Sequence, residues 1–315
     1  MWGITDDTVG IHLLRRAFEL GINSFDTADV YGDGKGETML ADGLGSHRDE
    51  MFIATKFGYD FYNYPGVQAG QRERAQDWSP TFLRNACEES LRRLSTDHID
   101  LYQLHNPRLD ALQSDDLFAE LDKLVSEGKI RSYGGALGPA LRPARQIEEG
   151  IYMVSQRKAA VQIIYNMLEQ QLGEQICPVA EENGAQVLVR VPHASGLLEG
   201  HFDETTEFAA DDHRHFRMHT PEMRAMWYRG LKKVEQLDFL TAEGSRTLGQ
   251  AALQFLMAQR SIASIFPNIY NENQIQEFIS ATEAPPLSQT DMQRVTELFR
   301  RDFDLPPFEV AAEQV

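Results

Sequence analysis

The apolar run that opens "INSFDTADVYG", residues 22 to 32, closes on a carboxylate, Asp26, and then a phenol, Tyr31, five positions on. Two further apolar runs also end in groups that hold or move protons: "MFIATKFG" (51–58) carries Lys56 and "IDLYQLHNP" (99–107) carries His105. Taken singly, each has an ordinary explanation. Asp26 before Thr27 suits a turn or cap, Tyr31 before Gly32 a rim aromatic, Lys56 a solvent-facing strand end, and His105 before Asn106-Pro107 a loop histidine. Their recurrence on consecutive strand ends points instead to one proton-donating apparatus. A free phenol titrates near about 10, too high for a good general acid at neutral pH. An ammonium beside it favours the phenolate, and a carboxylate paired with that ammonium keeps it charged and oriented. A neutral imidazole orients a carbonyl by hydrogen bonding. Such a set suits reduction of a carbonyl in which Tyr31 supplies the proton. None of these groups supplies a hydride, so the chemistry calls for a nicotinamide cofactor. The chain has no "GxGxxG" after a strand to hold one in the Rossmann manner.

Such side chains meet only if the fold brings the strand ends together. Seven short apolar or β-branched runs are visible: 22–28, 51–58, 99–107, 130–138, 161–169, 185–192 and 261–267. Helical periodicity separates them. In "SPTFLRNACEESLRRLS", Ser79 suits the cap and Pro80 the first helical position, and Phe82, Leu83, Ala86, Cys87, Leu91 and Leu94 form one apolar stripe. Another helix is expected from about Asp6 to Leu20, ending at Gly21. Strand–helix alternation implies parallel strands with helical crossovers. A doubly wound sheet and a (β/α)8 barrel both fit this pattern. The count favours the barrel, with seven of its eight strands recognisable. One barrel domain over 1–315 is expected, with long loops at about 58–78 and 193–220 and a helical tail after 281. Both loops follow strands, on the face where barrel active sites lie.

Bulk composition narrows the partners. The chain has 315 residues, 42% hydrophobic and 25% charged, as expected for a globular protein with a sizeable core. A formal charge of −18 argues against nucleic acid or an anionic membrane surface as partner. No apolar run is long enough to span a bilayer and "MWGITDDTVG" lacks the marks of a signal peptide, so a cytoplasmic location is expected. The two cysteines, Cys87 and Cys177, are expected to be reduced and buried rather than paired.

The motifs "FDTADVYGDGKGE", "IATKFG", "IDLYQLHNP", "VQIIYN" and "VPHASGLLEG" together resemble the aldo-keto reductases, in order and over about residues 3 to 300. That resemblance implies a (β/α)8 TIM barrel binding NADP(H) across its mouth, with a catalytic tetrad at Asp26, Tyr31, Lys56 and His105. It implies cofactor contacts from Gln162, Asn166, Arg190, Ser195, Gly196, Leu198, Pro267, Gln274 and Glu277. The substrate is expected to be a small aldehyde, ketone or sugar, reduced to an alcohol or the reverse. Aromatic residues Tyr59, Phe61, Tyr62, Tyr64 and Trp78 crowd the 58–78 segment, and Tyr59 and Trp78 are the expected substrate wall.

Several positions depart from the family pattern. The usual Gly-x-Ser-Asn reads "GGALG", with Ala136 and Leu137 in place of its polar pair. The aromatic that stacks on the nicotinamide is replaced by Arg190, whose guanidinium plane also stacks. In "FPNIYNENQIQEF", Asn268 replaces a glycine, and Tyr270 and Asn271 replace the basic residues that meet the 2′-phosphate. Each lost charge-assisted bond removes about 1.5–3 kcal/mol, so NAD is expected to be tolerated or preferred. The family's opening hairpin and first strand are missing before Met1-Trp2-Gly3, so lower stability or an edge covered by another subunit, as in a homo-oligomer, is expected. "ADDHRHFRMHTPE" offers His213, His215 and His219 to a metal. It reads better as a polar loop over the cofactor, ending at a Thr220-Pro221 helix start, with no metal. Two alternatives to an active enzyme are a cofactor-binding regulatory subunit, like the family's potassium-channel-associated barrels, and a truncated, poorly active relative.

Overall fold

The computed structural model describes residues 6–64, 74–138, 143–210, 212–242 and 244–307. Seven strands fall where the apolar runs lie: β1 Ser24–Asp26, β2 Phe52–Phe57, β3 Ile99–His105, β4 Ile130–Ala136, β5 Ala160–Ile164, β6 Val187–Arg190 and β7 Ile262–Phe266. They pair in parallel in sequential order, β1 to β7, as strand–helix alternation requires. The outermost strands β1 and β7 approach within 8 Å at their Cα atoms without hydrogen bonding to each other. The result is a nearly closed barrel of the (β/α)8 type, with seven strands among the described residues. All seven residues of β3 are buried, whereas no residue of β7 is fully so, which marks β7 as an edge of the sheet.

The helices form where the sequence carries start signals. Ser79 caps Pro80–Leu94 by accepting from the Phe82 backbone N–H, and that helix buries Leu83, Ala86, Cys87, Leu91 and Leu94. Asp6 caps Asp7–Glu19, and Gly21 follows it at φ 94°. Thr247 and Gln250 make a reciprocal capping box on Leu248–Met257, a device that contributes about 1 kcal/mol. Cys87 and Cys177 are both buried and unpaired with each other.

Strand side chains alternate between two environments. Outward-facing Ile53, Phe57, Tyr102 and Leu104 pack into one apolar cluster with the flanking helices, and Val161, Ile163, Val187 and Val189 into another. Inward-facing Ala54, Leu101 and Leu188 join Phe52, Ala160 and Phe266 in a small plug that fills the barrel. Two residues further along the same faces stand Lys56, Gln103 and Arg190. The period of two therefore stacks a polar layer on an apolar floor.

Candidate active site

The polar layer is organised around Asp26. Its Oδ2 accepts from Lys56 Nζ at 2.5 Å, and its Oδ1 from Gln162 Nε2 at 2.7 Å and Gln103 Nε2 at 3.2 Å. The register makes this meeting unavoidable: Asp26 lies opposite Ala54, Lys56 opposite Gln103, and β5 presents Gln162 on the same inner face. Lys56 is 1% exposed, and its ammonium also donates to the Thr27 carbonyl at 2.7 Å. An ion pair so deep is tolerated because both partners are otherwise hydrogen-bonded.

Tyr31 stands on a turn that prolongs β1 past its last paired residue. The chain keeps contact with β2 through Thr27 N–H to the Ala54 carbonyl and Asp29 N–H to the Lys56 carbonyl. It then folds back through Gly32, Asp33 and Gly34, all at positive φ. The phenol ring centroid is 5.2 Å from Lys56 Nζ and 5.7 Å from the His105 ring, which it meets edge-on. The Tyr31 side chain is 44% exposed, so the layer is buried at its ammonium and open at its phenol.

His105 ends β3. Burial first, then the charges of Lys56 and Arg190, hold its imidazole well below the ordinary histidine range, so it is neutral near pH 7. Its Nδ1 and the Oε1 of Gln162 are buried and without a partner among the described residues. Tyr59 lies edge-on to His105 at 4.9 Å, with its hydroxyl accepting from Asn106 Nδ2. Trp78 packs on Phe57 at 5.8 Å and covers Gly58, where an added Cβ would lie 2.3 Å from the indole; Gly58 itself sits at φ 128°. Phe61 and Tyr62 face away, against Arg93. The centre of that segment, 65–73, lies outside the described residues.

The other positions singled out in sequence divide into several groups. Asn166 is consumed by its own turn: its amide donates to Glu169 and the Val191 carbonyl, and its oxygen accepts from Leu168 N–H. Arg190, half-buried beside His105, donates to the Leu137 carbonyl at 2.8 Å. Ser195 and Gly196 lie in the turn after β6, and Leu198 is buried in the core. Pro267 follows β7. Gln274 donates to buried Glu199 at 2.9 Å, and the Tyr270 hydroxyl also donates to Glu199. Asn271 serves as N-cap of Glu272–Ile279. Glu277 instead accepts from Thr247, at the start of the neighbouring helix. His215 bonds the Phe208 carbonyl and meets His219 edge-on at 5.0 Å; the His213 side chain lies outside the described residues.

Residues that the sequence reading did not single out also touch these positions: Gln103 bonds Asp26, Glu199 accepts from Tyr270 and Gln274, and Arg217 donates to Ser195. Gln103 precedes His105 by two positions, so strand alternation alone put it on the same face. Glu199, Arg214 and Arg217 carry no such local signal.

Comparison with known proteins agrees with this architecture. The chain is 27% identical over 299 residues to the uncharacterized oxidoreductase YqkF of Bacillus subtilis, covering 95% of this chain and 90% of that one. It is 27% identical over 284 residues to the NADH-specific methylglyoxal reductase of Escherichia coli, covering 89% and 84%. The holo form of aldo-keto reductase AKR11C1 from Bacillus halodurans superimposes with a TM-score of 0.71 at 28% identity, covering 94% of this chain and 88% of that one. Residues 2–300 match the aldo/keto reductase family as a whole, and the chain belongs to that family.

Proposed function

We propose that the chain is a nicotinamide-dependent oxidoreductase that reduces a small aldehyde, ketone or sugar to its alcohol, or runs the reverse, with Tyr31 as the proton donor. The observation that carries this reading is the fully buried ammonium of Lys56, fixed by Asp26 and set 5.2 Å from the Tyr31 ring. A cation held there favours the phenolate left after proton transfer to a carbonyl oxygen. Asp26 cannot swing away, because Gln103 and Gln162 grip its other oxygen. Neutral His105 is free to hydrogen-bond the carbonyl without competing for its proton, and Tyr59 walls that side.

The residues present fit a dinucleotide. The unpartnered Gln162 Oε1 suits a carboxamide N–H beside the tetrad, and the planar guanidinium of Arg190 suits a flat ring. When bound, the nicotinamide ring supplies or accepts the hydride. Binding of NAD, tolerated or preferred over NADP, is the reading the far end of the site supports. Tyr270 and Asn271 carry no charge, and Tyr270 and Gln274 both donate to the buried carboxyl of Glu199. The NADH specificity in the name of the Escherichia coli relative points the same way.

Tyr31→Phe tests the central assignment. It should lower kcat for carbonyl reduction by about 10²–10⁴-fold while leaving the Kd for NADH nearly unchanged, since only the phenolic proton is lost. Undiminished turnover would remove Tyr31 from the acid role. Parallel titrations with NADH and NADPH test the cofactor preference, and tight NADPH binding with none for NADH would sink it.

A further inference from the structure

β3 ends at His105, and the next residue, Asn106, adopts a left-handed φ of 56°. A residue with a side chain stays in that region where its surroundings hold it. Two of the holding contacts are local. The Asn106 N–H donates to the Ala136 carbonyl of β4 at 2.8 Å, and Arg108 Nη1 donates to the Asn106 carbonyl at 2.6 Å. The others come from outside the sheet. Residues 58–60 run antiparallel to 75–77, joined by Asp60 N–H to the Ala75 carbonyl and Asp77 N–H to the Gly58 carbonyl. Tyr59 and Gln76 stand opposite each other in this pair, and opposed residues turn their side chains to one face. Both reach the end of β3. The Tyr59 hydroxyl accepts from Asn106 Nδ2 at 2.8 Å. Gln76 Nε2 donates to the His105 carbonyl at 2.9 Å and to the Asn106 carbonyl at 3.1 Å. Carbonyls accept and cannot donate, so this pair also fixes which way the Gln76 amide points.

A side chain's preferred rotamer follows its backbone angles, so pinning the two carbonyls that follow the His105 Cα also sets the direction of its ring. Tyr31 and Tyr59 meet that ring edge-on, at 5.7 and 4.9 Å. The charged groups that face it are Lys56 on β2 and Arg190 on β6. Burial, and then these two cations, keep it neutral. Resting on the carbonyl-reduction reading above, we propose that Gln76 is a positioning residue: by holding the His105 and Asn106 carbonyls, it keeps the imidazole buried and turned into the mouth beside Tyr31. The hairpin that walls the mouth with Tyr59 thereby also orients the ring it walls. A ring released from that hold turns toward water, where burial no longer opposes its protonation.

The test compares wild type, Gln76→Ala and Gln76→Lys by NMR titration of the His105 imidazole in the cofactor-free protein, with kcat, KM and the NADH Kd measured alongside. Gln76→Ala should move the His105 midpoint up toward about 6.5, lower kcat by about 10- to 100-fold and leave the NADH Kd unchanged. Gln76→Lys still donates to both carbonyls, so it should restore the wild-type midpoint and most of kcat. A His105 midpoint that stays low in Gln76→Ala overturns the proposal, whatever happens to kcat. Equal losses in Gln76→Ala and Gln76→Lys also overturn it, by making the loss one of packing rather than of the donor. Wild type that binds NADH yet reduces no carbonyl removes the reading above, while the ring titration still decides whether Gln76 orients His105. If Gln76→Ala melts before the assay, Gln76→Met, of similar length but without a donor, replaces it under the same criteria.

Discussion

The polar layer of the barrel mouth and the turn at 191–196 both hold cations against polar partners, yet they do so by opposite means. In that layer, Lys56, Asp26, Gln103 and Gln162 stand on four strands of one sheet, and its register fixes their separations. At the turn, Arg214 and Arg217 arrive on a short helix inside a long connection, over backbone that is itself strained. A strand-borne constellation is coupled to the stability of the whole sheet. A loop-borne one is coupled to the conformation of one segment. The polar layer should therefore lose fold and chemistry together when cut, whereas a cut at the turn should leave the sheet standing.

Lys56→Met is the sharpest way to break this contrast. It removes one member of a buried pair and leaves the Asp26 carboxylate uncompensated, so a loss of about 3–5 kcal/mol is expected in denaturant melts, together with loss of turnover. A Lys56→Met protein that melts like wild type would show that the polar layer is no more integrated than the turn.

Acid titration of stability comes next. His105 is held well below the ordinary histidine range, and burial takes His193 down to about 4. Both therefore stay neutral in the folded state while the unfolded chain takes up protons below about pH 6.5. Stability is fully present above that pH and falls as pH drops, by about 1.4 kcal/mol per pH unit for each histidine between its unfolded and folded values. Urea midpoints that stay flat from pH 7 to pH 5 would contradict the buried neutral state of both rings.

The smallest effect concerns Asp29, which is 0% exposed, with neither carboxyl oxygen hydrogen-bonded among the described residues. Burial, and then the nearby charge of Glu37, raise its carboxyl well above the ordinary range. The folded state therefore keeps a proton that the unfolded chain releases above about pH 3.9, and that costs stability as pH rises. Asp29→Asn should stabilise the chain by about 1 kcal/mol, more at pH 8 than at pH 5. A destabilised variant at both pH values would mean that the carboxyl is ionised and paired.

The same contrast explains what the sequence made legible. All seven strands were readable, because apolar runs bounded by turn residues survive as local patterns, and with them came Asp26, Lys56 and His105. The strand boundaries were drawn too wide where side chains intervene. The expected 161–169 run stops at Ile164 because Asn166 closes a tight turn on Leu168 and Glu169. Resemblance placed Asn166 and Glu277 at the cofactor, yet their hydrogen bonds here are internal, with Glu277 drawn to the Thr247 cap. Arg214 and Arg217 lie inside the loop read as polar and folded over the cofactor, but nothing in the sequence singles them out there. Nothing local connects a 3₁₀ edge in one part of a loop to a turn twenty residues earlier, so only the assembled chain brings them together.

The unequal exposure of the tetrad has one more consequence. Lys56 is sealed, but the Tyr31 hydroxyl lies in a side chain that is 44% open to solvent. On the proposed reading, a phenolate formed there would be reprotonated by bulk water once product leaves. The protein then imposes no direction on proton flow. Carbonyl reduction consumes one proton per turnover, so each unit of pH moves the overall equilibrium tenfold. If the proposed reaction holds, the balance between alcohol and carbonyl is left to the acidity of the surroundings and to the ratio of reduced to oxidised cofactor.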